Sequence, residues 1–339
     1  MKASVYYDIN DFRYEDLKIP EISEYEVLIE MKSCGICGTD VHKAIYKTVK
    51  TPIVLGHEVS GDIIKVGSKV KKFKVGDRVA VAHHAPCMTC WECRHNHHSL
   101  CDEYLKTNLD PGGFSEIIRV PAVNVDRTML KIPDDMTYEE AAFMEPLSCC
   151  LRGYSSKIQT GDSVLILGSG PIGILHTQIA KAFNASLIIN TDIVDFRLKQ
   201  AEKFGAIGIN PLNEDVVQKV KELTNGKGAD VIIDTVGNKE ALLEGISAAR
   251  KGAIINIFAP FVKNELISIN FNDIFFKELT FVGTYSSSPL DYSISLNLIE
   301  TGLINVKKLI THKFRLFELN KAIELAHEAK ECLKVMVLP

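Results

Sequence analysis

The stretch Ser163–Asp192, SVLILGSGPIGILHTQIAKAFNASLIINTD, decides the architecture of this 339-residue chain. Val164–Leu167 is a short continuous apolar run that breaks at Gly168-Ser169-Gly170-Pro171-Ile172-Gly173. Apolar residues at helical spacing follow (Ile174, Ile179, Ala180, Phe183), and a second β-branched run, Leu187–Ile189, leads to Asp192. Strand, glycine turn, helix and strand make half of a parallel dinucleotide-binding unit. Gly168 permits the tight turn, Gly170 lets backbone approach a pyrophosphate, and Gly173 lets helix pack on strand. The helix opening at Pro171 and Ile172 offers N–H groups and positive potential to phosphates. Asp192 stands where a carboxylate accepts hydrogen bonds from an adenosine ribose, and it would repel a 2′-phosphate, which favours NAD over NADP. A turn that merely packs gives no reason for an acid there.

Working outward, the alternation continues to about Tyr285. Strands are expected at Ile207–Ile209, Val231–Asp234, Ala253–Phe258 and Leu279–Val282, with helices between them, which is a doubly wound parallel sheet. The region before it reads differently. Tyr25–Ser33, Val59–Val66, Val79–Ala82 and Phe114–Val120 are expected strands, followed by an irregular segment to Pro133. Thr137-x-x-Glu140 is a capping box opening a helix over Ala141–Met144; Glu145-Pro146-Leu147 is expected to interrupt it, with helix resuming over Ser148–Ile158. The C-terminal part (helix Asp291–Ile299, strand Leu309–Phe314, helix Leu319–Glu328, strand Lys334–Val337) resembles the first region more than the middle. The nucleotide domain, 151–285, therefore reads as inserted into a domain made of 1–150 and 286–339.

Composition narrows the function classes. Hydrophobic content of 46% and charged content of 24% are ordinary for a globular protein, and a formal charge of −4 gives no footprint for nucleic acid or an acidic membrane. The basic run Lys65–Lys74 follows a strand and reads as a solvated loop. No apolar run approaches the roughly 20 residues that span a bilayer, and Met1–Asn10 lacks a secretory pattern, so a cytoplasmic protein without membrane or nucleic-acid partners is expected. Nine cysteines in such a chain point to metal ligands or free thiols rather than disulfides.

Four of them, Cys87, Cys90, Cys93 and Cys101, follow C-x2-C-x2-C-x7-C. Four thiolates in one loop (about 84–104) suit Zn²⁺ bound tetrahedrally with no open position, hence a structural site. Cys34-Gly35-Ile36-Cys37 admits two readings, a redox pair or half of a metal site completed by Leu55-Gly56-His57-Glu58. Glu145, beside a proline and just before the nucleotide domain, is either an acid reaching a cleft between domains or a surface carboxylate.

Together SCGICGTDVH, LGHEVSG, the four-cysteine lobe, MEPLSCC, LGSGPIG and Asp192 followed by Arg197 resemble the zinc-dependent medium-chain dehydrogenases, the superfamily of alcohol, sorbitol and threonine dehydrogenases, over nearly the whole chain. The resemblance implies an α/β protein with a GroES-like, mainly-β catalytic domain and a Rossmann domain, with the active site in the cleft. It also implies two Zn²⁺ per chain, NAD, and a homodimer or homotetramer. Residue by residue, Cys37 and His57 match catalytic zinc ligands, Glu58 matches a direct ligand or a close neighbour of the metal, and Glu145 matches the remaining ligand position. Thr39 and His42 match the groups that pass the alcohol proton outward. Gly168, Gly170, Pro171, Ile172, Gly173, Asp192 and Arg197 match the NAD site. Cys34, Cys149 and Cys150 read as packing thiols.

The activity so implied is hydride transfer from a secondary alcohol (a polyol, cyclitol or related small polar alcohol) to NAD, giving a ketone. A threonine-type or aliphatic secondary-alcohol enzyme is the alternative within the family, and an inactive NAD- and zinc-binding protein the alternative outside it. A nucleic-acid-binding zinc protein is disfavoured by the acidic balance. One departure bears on substrate. Animal sorbitol dehydrogenases carry an Arg-Tyr pair after the strand matching Leu279–Val282, whereas here Gly283-Thr284-Tyr285-Ser286-Ser287-Ser288-Pro289 has no arginine. The serines either leave room for a bulkier or cyclic ligand or form a solvated turn.

Overall fold

The computed structural model describes residues 1–154 and 158–339. It divides into two compact units, Cys149–Ser286 and the discontinuous pair Met1–Ser148 with Ser287–Pro339.

The Cys149–Ser286 unit is a six-stranded parallel sheet. Its strand order is Ile207–Ile209, Leu187–Thr191, Ser163–Leu167, Ala229–Asp234, Ala249–Ile257, Thr280–Gly283. Ser163–Leu167 is buried at every position because parallel strands are covered on both faces, which is why it reads as an unbroken apolar run. The chain runs outward in one direction from this strand and then in the other from Ala229–Asp234. Such a switch point leaves a crevice at the carboxyl ends of the strands, where doubly wound sheets bind ligands. Leu165, Leu167, Ile189, Ile232, Ile255 and their neighbours fill the core.

The discontinuous unit is mainly β. Its larger sheet runs Ile310–Arg315, Lys334–Leu338, Val27–Gly35, Glu58–Val66, Arg78–Ala82, Met129–Lys131, with Ile117–Val120 also pairing with Val27–Gly35. A smaller sheet joins Asp11–Asp16, Lys2–Asp8 and Ile53–Val54. Register sets up the chemistry: Gly35 lies opposite Glu58 on one side and opposite Met336 on the other, and Glu58 lies opposite Ala82. Cys37, His57, His83 and Lys334 therefore all issue from the same region of one sheet.

Three local expectations need correction. The strand expected from Phe114 begins only at Ile117, because Gly113 and Phe114 spend their N–H groups on Gly56 and Leu55 carbonyls instead. The segment read as irregular holds a helix, Ala122–Arg127, and an edge strand, Met129–Lys131. The helix is held by tertiary bonds, Asn124 Nδ2 donating to the Ala82 and His83 carbonyls. Glu145-Pro146-Leu147 does not interrupt a helix. The first helix is Tyr138–Ala141, and a new one, Met144–Tyr154, starts with Pro146 in its first turn, where a missing N–H costs nothing. The rest of the helix expected to Ile158 falls partly outside the described residues.

Candidate active site and metal centres

Cys37 caps the helix Gly38–Tyr46. Its Sγ accepts from the Thr39 N–H at 3.4 Å, while the Asp40 carboxylate accepts from the Cys37 N–H at 3.0 Å. His57 and Glu58 come from the start of the strand Glu58–Val66, which Gly56 enters at φ +88°. The Cys37 sulfur, a His57 ring nitrogen and a Glu58 oxygen all lie within 4.8 Å of one another. One thiolate, one imidazole and one carboxylate are a donor set suited to Zn²⁺. Glu58 Oε1 is moreover buried without a hydrogen-bond partner, an unsatisfied acceptor that a cation would complete. Glu145 is also buried, in the first turn of Met144–Tyr154, but lies outside this trio. Cys34, Cys149 and Cys150 belong to no such group among the described residues.

Two residues that the sequence reading passed over shape this centre. Asp40 is 1% exposed; its Oδ1 lies 3.3 Å from His57 Nδ1 and accepts from the Gly56 N–H at 3.2 Å. Engaging Nδ1 leaves Nε2 for an ion, the usual arrangement around a metal-binding histidine. Burial by itself would push the His57 imidazole down, but Asp40 and Cys37 outweigh it and hold it well above its ordinary value. The second is Lys334, buried and ion-paired with Glu58 Oε2. Burial opposes its charge, yet Glu58, Cys37 and Glu145 together keep its pKa above the usual lysine range. The Asp40 signal was legible as the acid of a helix capping box, and nothing local announced Lys334.

His83 stacks 4.6 Å from the His57 ring and 3.9 Å from His84, whose ring lies 5.2 Å from Tyr104. Burial pushes His83 well down, and His84 down to about 4, so both present neutral imidazoles. Thr39 and His42 lie three apart on the same helix, both exposed, with His42 Nδ1 3.5 Å from Thr48 Oγ1. No hydrogen bond joins Thr39 to His42 directly among the described residues.

In the lobe, the sulfurs of Cys87, Cys90, Cys93 and Cys101 lie within 4.8 Å of one another, with Cys87 and Cys93 4.0 Å apart. Zn–S bonds of about 2.3 Å need sulfurs about 3.8 Å apart, so the four thiols fit zinc. The Thr89 hydroxyl, aided by N–H groups of Thr89 and Cys90, holds Cys87 down to about 6, toward the thiolate a metal requires. Ser287 and Ser288 do not form a solvated turn. Both are buried, Ser288 Oγ bonding His98 Nδ1 at 2.7 Å and Ser287 Oγ the Tyr292 hydroxyl at 2.7 Å.

In the nucleotide unit, Gly168 has φ +93°, and a Cβ at Gly173 would collide with the Gly168 carbonyl. A Cβ at Gly170 would meet nothing within 4 Å, so that face of the turn is open. Pro171 opens the helix Pro171–Ala182 and Ile172 follows it. Asp192 Oδ2 accepts from Ser169 N–H and Oδ1 from Val194 N–H, both at 2.9 Å, with Arg197 Nη1 3.9 Å away. A carboxylate so fixed keeps spare lone pairs for a diol.

Residues 23–134 match the family profile for the alcohol dehydrogenase GroES-like domain, and residues 171–301 match that for zinc-binding dehydrogenase. The chain is 37% identical to a sorbitol dehydrogenase of Bacillus subtilis (strain 168), covering 100% of this chain and 97% of that one. It is 34% identical to a D-arabitol-phosphate dehydrogenase of Enterococcus avium, covering 95% and 92%. Among solved structures, a short chain alcohol dehydrogenase from Escherichia coli CFT073, complexed with cofactor NADH, superposes with TM-score 0.90 at 31% identity, covering 100% of this chain and 99% of that one. In sequence along its whole length and in fold, the chain belongs to the zinc-dependent medium-chain dehydrogenases.

Proposed function

We propose that the chain oxidises a secondary hydroxyl of a polyol, cyclitol or related small polar alcohol to the ketone, with NAD as acceptor. The observation that carries the reading is the convergence of Cys37, His57 and Glu58 on one point, in a chain that also carries the glycine turn. Residues 1–150 and 286–339 form the catalytic domain and 151–285 the dinucleotide-binding domain. Cys37, His57, Glu58 and Glu145 hold the catalytic zinc, and Cys87, Cys90, Cys93 and Cys101 the structural one. Zinc supplies Lewis-acid polarisation of the alcohol oxygen, and the nicotinamide supplies the hydride acceptor.

The chain's own residues do the rest. Asp40 keeps His57 turned so that Nε2 faces the metal. Thr39 Oγ1 would take the hydroxyl proton and His42, exposed on the same helix, would carry it outward, with the bound cofactor's ribose as the link between them. Gly168, Gly170, Pro171, Ile172 and Gly173 cradle the pyrophosphate. Asp192 binds the ribose diol, with Arg197 beside it, and disfavours a 2′-phosphate. The carboxylates of Glu58 and Glu145 in place of a second thiolate support a polyhydroxylated substrate over an aliphatic one, since a polar pocket favours ligands that satisfy its hydrogen-bonding groups.

The protein assembles with a second copy of itself. The strand Thr280–Gly283 is an open sheet edge, and Phe271, Phe275 and Phe276 beside it are more than two-thirds exposed (78%, 73% and 72%), a patch that association would cover. Cytoplasmic placement is supported by nine cysteines in no disulfide. No helix among the described residues is long and apolar enough to cross a membrane.

The test is NAD⁺ reduction across linear polyols, cyclitols, threonine, and primary and secondary aliphatic alcohols. A polyhydroxylated compound is expected to give the highest kcat/KM; simple aliphatic alcohols outranking all of them would end the polyol reading.

A further inference from the structure

Water scarcely reaches the pair formed by Glu58 and Lys334, which are 1% and 4% exposed. As packing alone the pair is a poor choice, because apolar residues of similar volume serve a core as well or better. Three features aim the lysine at the ligand set. Against the effect of burial, Glu58 raises the pKa of its ammonium most, and Cys37 and Glu145 add to it. The Phe143 ring lies 5.6 Å from Nζ. Gly35, opposite Glu58 in register, leaves the space: a Cβ there would collide with Glu58 Oε2 and come within 2.9 Å of Lys334 Cε.

The result is a carboxylate with its two oxygens treated differently. Oε2 is held by the ammonium, and Oε1 is buried with no hydrogen-bond partner. We propose that Lys334 is a positioning residue that retains one oxygen of Glu58 and so limits the side chain to a single oxygen at the metal. Without the ammonium nothing opposes both oxygens turning to the metal. A further anionic donor there weakens the Lewis acid that the reaction needs. This rests on the zinc reading of Cys37 and His57.

The experiment replaces zinc with cobalt(II) in the whole protein and records its d–d absorption, subtracting the spectrum of Cys37→Ala, which keeps only the four-cysteine site. Lys334→Met is expected to change the position or intensity of the difference bands and to lower kcat about 10- to 100-fold, more than KM changes. Lys334→Arg, which keeps the charge, should restore the bands and bring kcat within about threefold of wild type. Gly35→Ala provides the second variant, displacing the carboxylate from the opposite side with every charge retained; its bands should also move. Bands and kcat of Lys334→Met equal to wild type overturn the proposal, as do unchanged bands in Gly35→Ala should Lys334→Met fail to fold. A wild-type protein without any cobalt signal dependent on Cys37 instead refutes the metal reading itself, and the proposal with it.

Discussion

Replacing Asp40 by asparagine changes one atom and keeps the shape of the side chain, which makes its consequence calculable. In the native site Oδ1 serves His57 Nδ1 and the Gly56 N–H, and Oδ2 serves the Cys37 N–H at 3.0 Å. An amide can keep its oxygen toward only one of these sides. If it faces His57, its NH2 group meets the Cys37 N–H, donor against donor. One bond to a charged acceptor is then lost and two become neutral. Bonds to charged groups are worth about 1.5–3 kcal/mol and neutral ones about 1, so the net loss is about 2.5–7 kcal/mol. Both affected elements carry proposed metal ligands, and at about 1.4 kcal/mol per decade even the lower end of that loss should cut the zinc affinity of this site by on the order of 60-fold. Competition against a chromogenic chelator measures it, with the lobe zinc as internal reference and a thermal melt confirming the fold. A folded Asp40→Asn protein that holds this zinc within threefold of wild type would show that Asp40 orients nothing.

Other outcomes follow from the same geometry. Purified protein should carry two zinc ions per chain; Cys37→Ser should lose one with the fold kept, whereas Cys90→Ser or Cys101→Ser should lower the melting temperature as well, because a closed thiolate site contributes folding free energy. Metal analysis with calorimetry separates the two, and equal structural damage from both classes would sink the assignment. Asp192→Gly should erode the preference for NAD, read as the ratio of kcat/KM for the two cofactors, and a wild-type preference for NADP would mean that this acid does not face the ribose. Burial holds His176 down to about 3, against about 6.5 in an unfolded chain, so the folded state refuses a proton that the unfolded state accepts. Stability should therefore rise with pH between about 3 and 6.5, at about 1.4 kcal/mol per pH unit, and His176→Gln should lose about 2 kcal/mol less than wild type on going from pH 7 to pH 5. Parallel denaturation curves for the two proteins at both pH values would contradict this.

What could be read in advance was what is local. The glycine turn, the four-cysteine spacing and the parallel strands each lie within a few tens of residues, and their patterns follow from backbone geometry and ligand reach. Glu58 was legible as a neighbour of His57. Its cation was not, because Lys334 meets it only through the pairing of three strands, and strand register is not written in any one of them. Pro146 misled because a proline reads equally as a helix break or a first-turn residue, and only packing decides. The serines at 287 and 288 carry no periodic signal, and the burial of Ser288 against His98 joins residues far apart in the chain. The helix Ala122–Arg127 is too short for periodicity to reveal, and its anchors are carbonyls of another strand.

The discontinuous unit has a bearing on how the protein comes to be made. On a ribosome, Cys37, His57 and Glu58 emerge early, yet the strand bearing Lys334 cannot reach them until the whole of Cys149–Ser286 has followed. Domains tend to fold as they emerge, so the nucleotide unit can close while the other still lacks two strands of its larger sheet. During that interval Glu58 is a carboxylate without its counter-ion, beside a thiol and an imidazole that a stray transition metal would find open. The four-cysteine lobe needs no such late arrival, since its four thiols span fifteen residues of one loop. On the proposed ligand sets, the lobe can take its metal during elongation and the other site only after the returning strand has docked.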